Sequence, residues 1–85
     1  MEYFIYFLLS LKNNDLYIGS TENVARRVVL HNVGKARSTK AYRPWKLLGY
    51  EDCASRSEAV RRERFLKTGQ QKDILRKKYG AVAKW

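Results

Sequence analysis

The chain has little of what builds covalent or metal-bound scaffolds: one cysteine, Cys53, and one histidine, His31, in 85 residues. A single thiol forms no internal disulfide, and the pair cannot supply the ligand spacing of a zinc finger. A lone cysteine suits a reducing, cytoplasmic compartment. Long apolar runs are missing as well. The most apolar stretch, Tyr3 to Leu11, is far shorter than the about 20 residues that span a bilayer. It follows Glu2 in place of basic residues and precedes no small-residue cleavage site, so it reads as a buried strand, with no membrane contact expected. Repeats, linkers and low-complexity tracts are absent, and the expectation is one domain over residues 1–85. A chain this short buries only about 60% of the surface its unfolded form exposes, which argues against a deep enclosed pocket for a small molecule.

Acidic residues are also scarce, at 8 against 18 Lys and Arg, for a net charge of +10. The imbalance is local. Residues 1–33 are neutral, with three basic and three acidic side chains. Residues 34–53 carry five basic and two acidic, and residues 54–79 carry nine and three. A basic surface beside a neutral hairpin is what a polyanion binder presents. The plainer reading of the same charge is a solvated surface that keeps the protein soluble. What the chain has in plenty is apolar side chains, at 45% with 13% aromatic, which excludes a disordered polypeptide.

Residues 3–10 are aromatic and β-branched and run into the turn-prone Lys12-Asn13-Asn14-Asp15. Leu16 to Ser20 then reads as a second, antiparallel strand. Period-2 alternation puts Phe4, Tyr6 and Leu8 on one face, and Tyr3, Ile5 and Phe7 on the other. A helix is expected from about Glu22 to His31, capped by Ser20 or Thr21 and ended by Gly34. Val24, Val28 and His31 form its inward stripe, with Arg27 at the edge. Residues 34–46 read as a basic loop in which Pro44 holds Arg43 extended. Lys46 to Cys53 is the third strand. Ser55 and Glu58 make a capping box for a helix running to about Thr68, with Gly69 as its stop. A short basic helix, Lys72 to Tyr79, follows. The order is ββαβαα: an α+β domain with a three-stranded antiparallel sheet flanked by helices.

Three groups of residues could carry chemistry. Ala59, Glu63 and Leu66 share one helix face, so a carboxylate sits in a stripe expected to meet the sheet. Such a group is costly unless it is paired or metal-bound, and it is either a divalent-cation ligand or a salt-bridge partner of Lys67 or a sheet-side arginine. Arg27 and His31 are neighbours at i, i+4. They offer rigid donors for phosphate and a proton acceptor, or else an edge arginine and a satisfied core histidine. Tyr6 and Tyr17 lie on adjacent strands as aromatic packing or as hydroxyls for proton transfer. The loop cations Lys35, Arg37, Lys40, Arg43 and Lys46 are the candidate nucleic-acid contacts.

Taken together, these features resemble the GIY-YIG nuclease superfamily. Its first motif reads Phe4-Ile5-Tyr6 here, and its second Tyr17-Ile18-Gly19. The helix signature spans Ala25 to His31, and the glutamate lies in the segment Ser57 to Lys67. The segments Ser38-Thr39-Lys40, Arg43 to Leu47 and Leu66-Lys67-Thr68-Gly69 add to the likeness. It extends over residues 3–78, leaving 79–85 as a tail, and is nearest to small single-domain members similar to the nuclease domain of the bacterial excision-repair endonuclease. Two positions depart. Phe4 replaces the first motif's glycine. No asparagine follows Asn32, where many members carry one after the glutamate helix, and Gln70 and Gln71 are the amides there. The resemblance implies a metal-dependent endonuclease acting on DNA in preference to RNA, in repair or recombination. It implies Mg²⁺ or Mn²⁺ held by Glu63, Arg27 as phosphate clamp, and Tyr6 or Tyr17 as base with His31 beside it, Tyr6 being favoured. The alternatives are a catalytically silent nucleic-acid-binding module of the same fold, or a small protein whose basic face docks an acidic partner.

Overall fold

The fold is that of a computed structural model describing residues 2–83, with side chains to Tyr79. Strands β1 (Tyr3–Ser10) and β2 (Leu16–Thr21) form the hairpin, helix α1 (Val24–Asn32) follows, and a 3-10 turn at Lys40–Tyr42 interrupts the basic loop. Then come β3 (Trp45–Cys53), α2 (Arg56–Leu66) and α3 (Gly69–Ala83). The order is ββαβαα and the sheet is antiparallel, so the chain is α+β as its sequence implies. The helix α3 is longer than expected at both ends and absorbs Ala81 to Ala83; Lys84 and Trp85 lie outside the described residues. Among the described residues no helix is long and apolar enough to cross a membrane.

The sheet order is β2-β1-β3, so the most apolar strand is central and has helices over both faces. That double cover explains why β1 carries no polar residue before Ser10: a strand buried on both sides reads as a continuous apolar run. Ile5, Phe7, Ile18, Ala59, Leu66 and Leu75 form a core beneath α2 and α3. On the opposite face Tyr6, Leu8 and Trp45 pack with Tyr17, Val24 and Val28 under α1. The expected alternation along β1 holds residue for residue. In register, Tyr6 lies between Gly19 of β2 and Tyr50 of β3. A bulge then leaves Leu48 without a partner on β1, since Phe7 pairs with Gly49 and Leu8 with Leu47.

The helix ends show local chemistry overriding simple pattern. The cap of α1 is Asn23, whose side chain accepts from the Arg26 N–H at 3.0 Å; neither Ser20 nor Thr21 has that role. Thr21 still belongs to β2, paired with Phe4, and the chain needs two more residues to leave the sheet. At the other end the expectation is met. Gly34 adopts φ +83°, and its N–H donates to the His31 carbonyl while that of Lys35 donates to Leu30. These two bonds make a Schellman cap, which favours a residue without Cβ. Ser55 caps α2 as expected, accepting from the Glu58 N–H. Gly69, however, is not the stop: α2 ends at Leu66 with Lys67 as its cap, and Gly69 opens α3.

Trp45 fastens the basic loop to the sheet. Its ring is buried, and its Nε1–H donates to the Thr39 carbonyl at 2.9 Å. Its backbone is held from the other side by the Asn32 amide, which accepts from the Trp45 N–H at 2.6 Å and donates to its carbonyl at 3.0 Å. Trp45→Ala removes both packing and the anchor, and it should cost about 3–5 kcal/mol in chemical denaturation. A wild-type midpoint would show that the ring carries no structural load.

Candidate active site

The face under α1 places four of the five expected catalytic side chains together. Tyr6 is fully buried, and its hydroxyl lies 2.8 Å from His31 Nε2. The other ring nitrogen of His31, Nδ1, lies 2.7 Å from Thr39 Oγ1. Thr39 Oγ1 in turn reaches the Ala36 carbonyl at 3.4 Å. Because that carbonyl can only accept, the Thr39 proton goes to it. His31 Nδ1–H then donates to Thr39, and Nε2 accepts from the Tyr6 hydroxyl. Among the described residues no buried side-chain polar atom is left without a partner. The Tyr17 ring closes the cluster, at 5.0 Å from the His31 ring, 6.1 Å from Tyr6 and 6.0 Å from Trp45.

Burial sets the electrostatics. It pushes the Tyr6 phenol above its ordinary range, and the nearby Arg27 guanidinium opposes that only in part. Burial also lowers the His31 pKa below 6.5, and the positive charge of Arg27 lowers it further. Tyr6 is therefore held protonated and His31 held neutral, which is the state in which Nε2 can accept. Arg27 stands at a boundary. Its charge acts on Tyr6 and His31, and its side chain lines an open cleft of about 320 Å³ with Arg26, Asn23, Glu22 and Thr21. Cleft and cluster meet at one guanidinium.

Gly19 explains the last position of the second tyrosine motif. A Cβ built there would stand 2.6 Å from the Tyr6 hydroxyl and 2.9 Å from Tyr17 Cε2. The two rings occupy the space a side chain would fill.

The remaining expected residues are arranged differently. Glu63 lies on α2, the helix over the opposite face of the sheet, and its Oε2 accepts from Lys67 Nζ at 2.8 Å. Ala59 and Leu66 are buried as expected, but the Glu63 side chain is 23% exposed. It sits at the margin of the stripe, half-buried and paired with Lys67. Among the described residues no three His, Cys, Asp or Glu side chains gather as a metal-binding group. An ion here would rest on one protein carboxylate. Mg²⁺ tolerates that, since it keeps several waters and takes hard oxygen ligands. The donor fits in kind, provided the flexible Lys67 ammonium is displaced. The loop cations Lys35, Arg37, Lys40 and Arg43 are exposed, as is Lys46, which lies on β3 and not in the loop, and the Arg43 guanidinium lies over Gly34. Sequence reasoning did not assign Thr39, Asn32 or Ser10. Ser10 is buried, and its hydroxyl donates to the Tyr42 carbonyl while accepting from two turn N–H groups. For Thr39 the only signal was its place in the Ser38-Thr39-Lys40 segment.

A sequence profile described as the GIY-YIG catalytic domain matches residues 2–79. The chain belongs to the GIY-YIG family. This GIY-YIG domain is 42% identical over 71 residues to a UPF0213 protein of Staphylococcus haemolyticus, covering 82% of this chain and 87% of that one. It is 40% identical over 67 residues to a UPF0213 protein of Desulfotalea psychrophila, covering 76% and 60%. The solution NMR structure of a UPF0213 protein from Bacillus halodurans is similar with a TM-score of 0.54 at 32% identity, covering 88% of this chain and 82% of that one. Tyr6, Tyr17 and Gly19 all lie within the matched residues, and the two rings leave no room for a side chain at Gly19.

Two outcomes follow for the GIY-YIG cluster. Gly19→Ala must displace Tyr6 or Tyr17 and should cost about 1–3 kcal/mol, the usual range for overpacking, with a change in the tyrosine near-ultraviolet signal. For His31 the sign is set by its lowered pKa: the unfolded chain binds the proton more readily than the fold does. Stability should therefore be full above pH 6.5 and fall as pH drops from there toward the lowered folded value. Denaturation midpoints between pH 8 and 5 should show this slope, and His31→Gln should flatten it. An unchanged slope would place the titration elsewhere.

Proposed function

We propose that this protein is an endonuclease-type phosphodiester hydrolase acting on nucleic acid, DNA ahead of RNA, in repair or recombination within a reducing, cytoplasmic compartment. The observation that supports it best is Arg27, which joins an open cleft to a buried Tyr–Tyr–His cluster. In this reading a backbone phosphate enters the cleft, and Arg27 binds its non-bridging oxygens, where charge grows in the transition state. Glu63 would hold Mg²⁺ or Mn²⁺ with water and phosphate oxygens, and the ion would supply Lewis-acid stabilisation of the developing charge. The loop cations Lys35, Arg37, Lys40 and Arg43, with Lys46 of β3, would track the flanking backbone.

The proton path follows from the cluster. The attacking water forms a new P–O bond and loses a proton while the leaving P–O bond breaks, its electron pair staying on the leaving oxygen, which takes a proton from solvent. Tyr6 is poorly suited to take that proton directly, since its phenol is buried, strongly held protonated and bonded to His31. Half-buried Tyr17 is better placed to meet water. We assign the abstraction to Tyr17, with its own proton passing to Tyr6 and that of Tyr6 to the neutral His31. A binding module without turnover is the second reading. It is favoured by the Lys67 ammonium on Glu63, which occupies the one carboxylate the chemistry needs.

Tyr17→Phe keeps the ring and its packing, so it should melt like wild type while cleavage of labelled DNA in Mg²⁺ falls by ~10²-fold or more. Wild-type rates in both Tyr6→Phe and Tyr17→Phe would leave the pair as packing alone. Glu63→Gln should abolish cleavage with little change in melting temperature. The pair it breaks is solvent-exposed at i, i+4 and is worth only about 0.3–0.5 kcal/mol. Retained cleavage in that variant would remove Glu63 from the reaction. Binding should weaken steeply with salt, with a slope of about 0.9 per neutralised phosphate. Charge reversal at Lys35, Arg37 and Lys40 should flatten it, and a salt-insensitive affinity would exclude the loop as a backbone contact.

A further inference from the structure

Phe4 is the position at which this chain departs from the Gly-Ile-Tyr of the family name, and the catalytic cluster makes no use of its ring. It stands at the sheet face under the start of α1, with Tyr50 of β3 against it edge to face, 5.8 Å between centroids at 83°. The two rings belong to a groove of about 390 Å³ whose other apolar walls include Val24 and Leu47. Tyr50 is 57% exposed, unusual for an aromatic ring next to a fully buried one: its register partner across the sheet is Tyr6. Glu22 and Asn23 line this groove and also the arginine cleft, so the two cavities share a wall.

The charges divide the labour between them. Arg26 and Arg27 make the cleft attractive to a phosphate. Glu22 lines both cavities: in the cleft two guanidiniums outweigh it, whereas the groove lining holds no cation, so there its carboxylate disfavours phosphate and can accept hydrogen bonds from donors on a flat, uncharged ligand. A nucleotide offers both halves of that pattern: an anionic backbone and an apolar planar base with N–H donors at its edge. Stacking on an exposed aromatic ring needs a base that is out of a duplex. We propose that this groove seats an unpaired nucleobase, stacked on Tyr50 with Phe4 bracing that ring, next to the nucleotide whose phosphate lies at Arg27. The placement of the phosphate rests on the hydrolase reading above; the base seat rests on the groove.

The test uses the full chain in EDTA, so that binding is read without turnover. The probes are a single-stranded DNA carrying one 2-aminopurine and the same strand in a full duplex. Wild-type protein should quench the unpaired 2-aminopurine by stacking. Tyr50→Ala should remove the quench and weaken single-strand binding by about tenfold, while duplex affinity and melting temperature stay as in wild type. Tyr50→Trp should restore both quench and affinity. Quenching and single-strand affinity that are unchanged in Tyr50→Ala overturn the proposal, as does an equal loss on single strand and duplex. The two readings fail separately. A protein that shows Tyr50-dependent quenching but never cleaves in Mg²⁺ keeps the base seat and loses the hydrolase. A protein that cleaves while Tyr50→Ala binds normally keeps the hydrolase and loses the base seat.

Discussion

The hydrogen-bond chain from Tyr6 through His31 to Thr39 is the constraint on which the rest of the molecule depends. Its three members come from the central strand, the first helix and the basic loop, and each is essentially excluded from water. A polar chain buried in so small a core is tolerable only when every donor and acceptor is matched, because an unmatched group costs its full desolvation energy. Matching fixes distances, and distances fix elements. The helix α1 must lie over Tyr6, and the loop must fold back until Thr39 is inside. The indole of Trp45 and the amide of Asn32 hold it there through backbone atoms alone. The loop's sequence can therefore vary in charge around a fixed frame, with the cations outside and the threonine within.

The double-covered sheet separates two demands that compete in a small domain. The face under α2 and α3 is apolar throughout, with Ile5, Phe7, Ile18 and Leu66 supplying the driving force for folding. The face under α1 spends its burial on tyrosine, histidine and tryptophan, side chains with polar ends that need partners. A three-stranded sheet with one face in solvent would have to place both sets on the same side. Glu63 belongs to the helix layer of the apolar face and is half-exposed at its margin. Any chemistry joining it to the tyrosine face must therefore run past the rim of the sheet, where solvent and a long polymer both have access.

Much of this was legible in the sequence, for reasons that mark its limits. Period-2 alternation in β1 sorted Tyr6 from Ile5 because a strand buried on both sides still obeys its pleat. Helical spacing put His31 inward with Val24 and Val28, and Gly34 ended α1 by a backbone requirement that few other residues meet. Long-range pairing was not legible. Nothing local distinguishes Thr39 from its neighbour Ser38, and only the position of His31 in space selects it. Asn32 reads as a polar residue at a helix end, although its two bonds reach 13 residues onward. Gly69 reads as a stop because glycine usually terminates helices, yet here the turn is complete before it. Glu63 was assigned to the right helix face, but a stripe at 100° per residue does not say where the buried arc ends.

Under the proposed chemistry, Arg27 makes the site respond to its own ligand. In the free protein its charge adds to burial in keeping His31 neutral, so the imidazole can accept a proton but is penalised for keeping one. A phosphate bound at Arg27 offsets that charge, and the penalty on imidazolium falls by the same interaction. The proton acceptor thus becomes stronger when the substrate arrives, with no movement of the backbone. The buried Tyr6 hydroxyl couples the two events, since it is bonded to His31 and its phenol feels the charge of Arg27. The same cation that would recognise the phosphate therefore adds to burial in lowering the basicity of the group that receives the proton, and replacing it by a neutral residue would weaken phosphate binding while making His31 more basic.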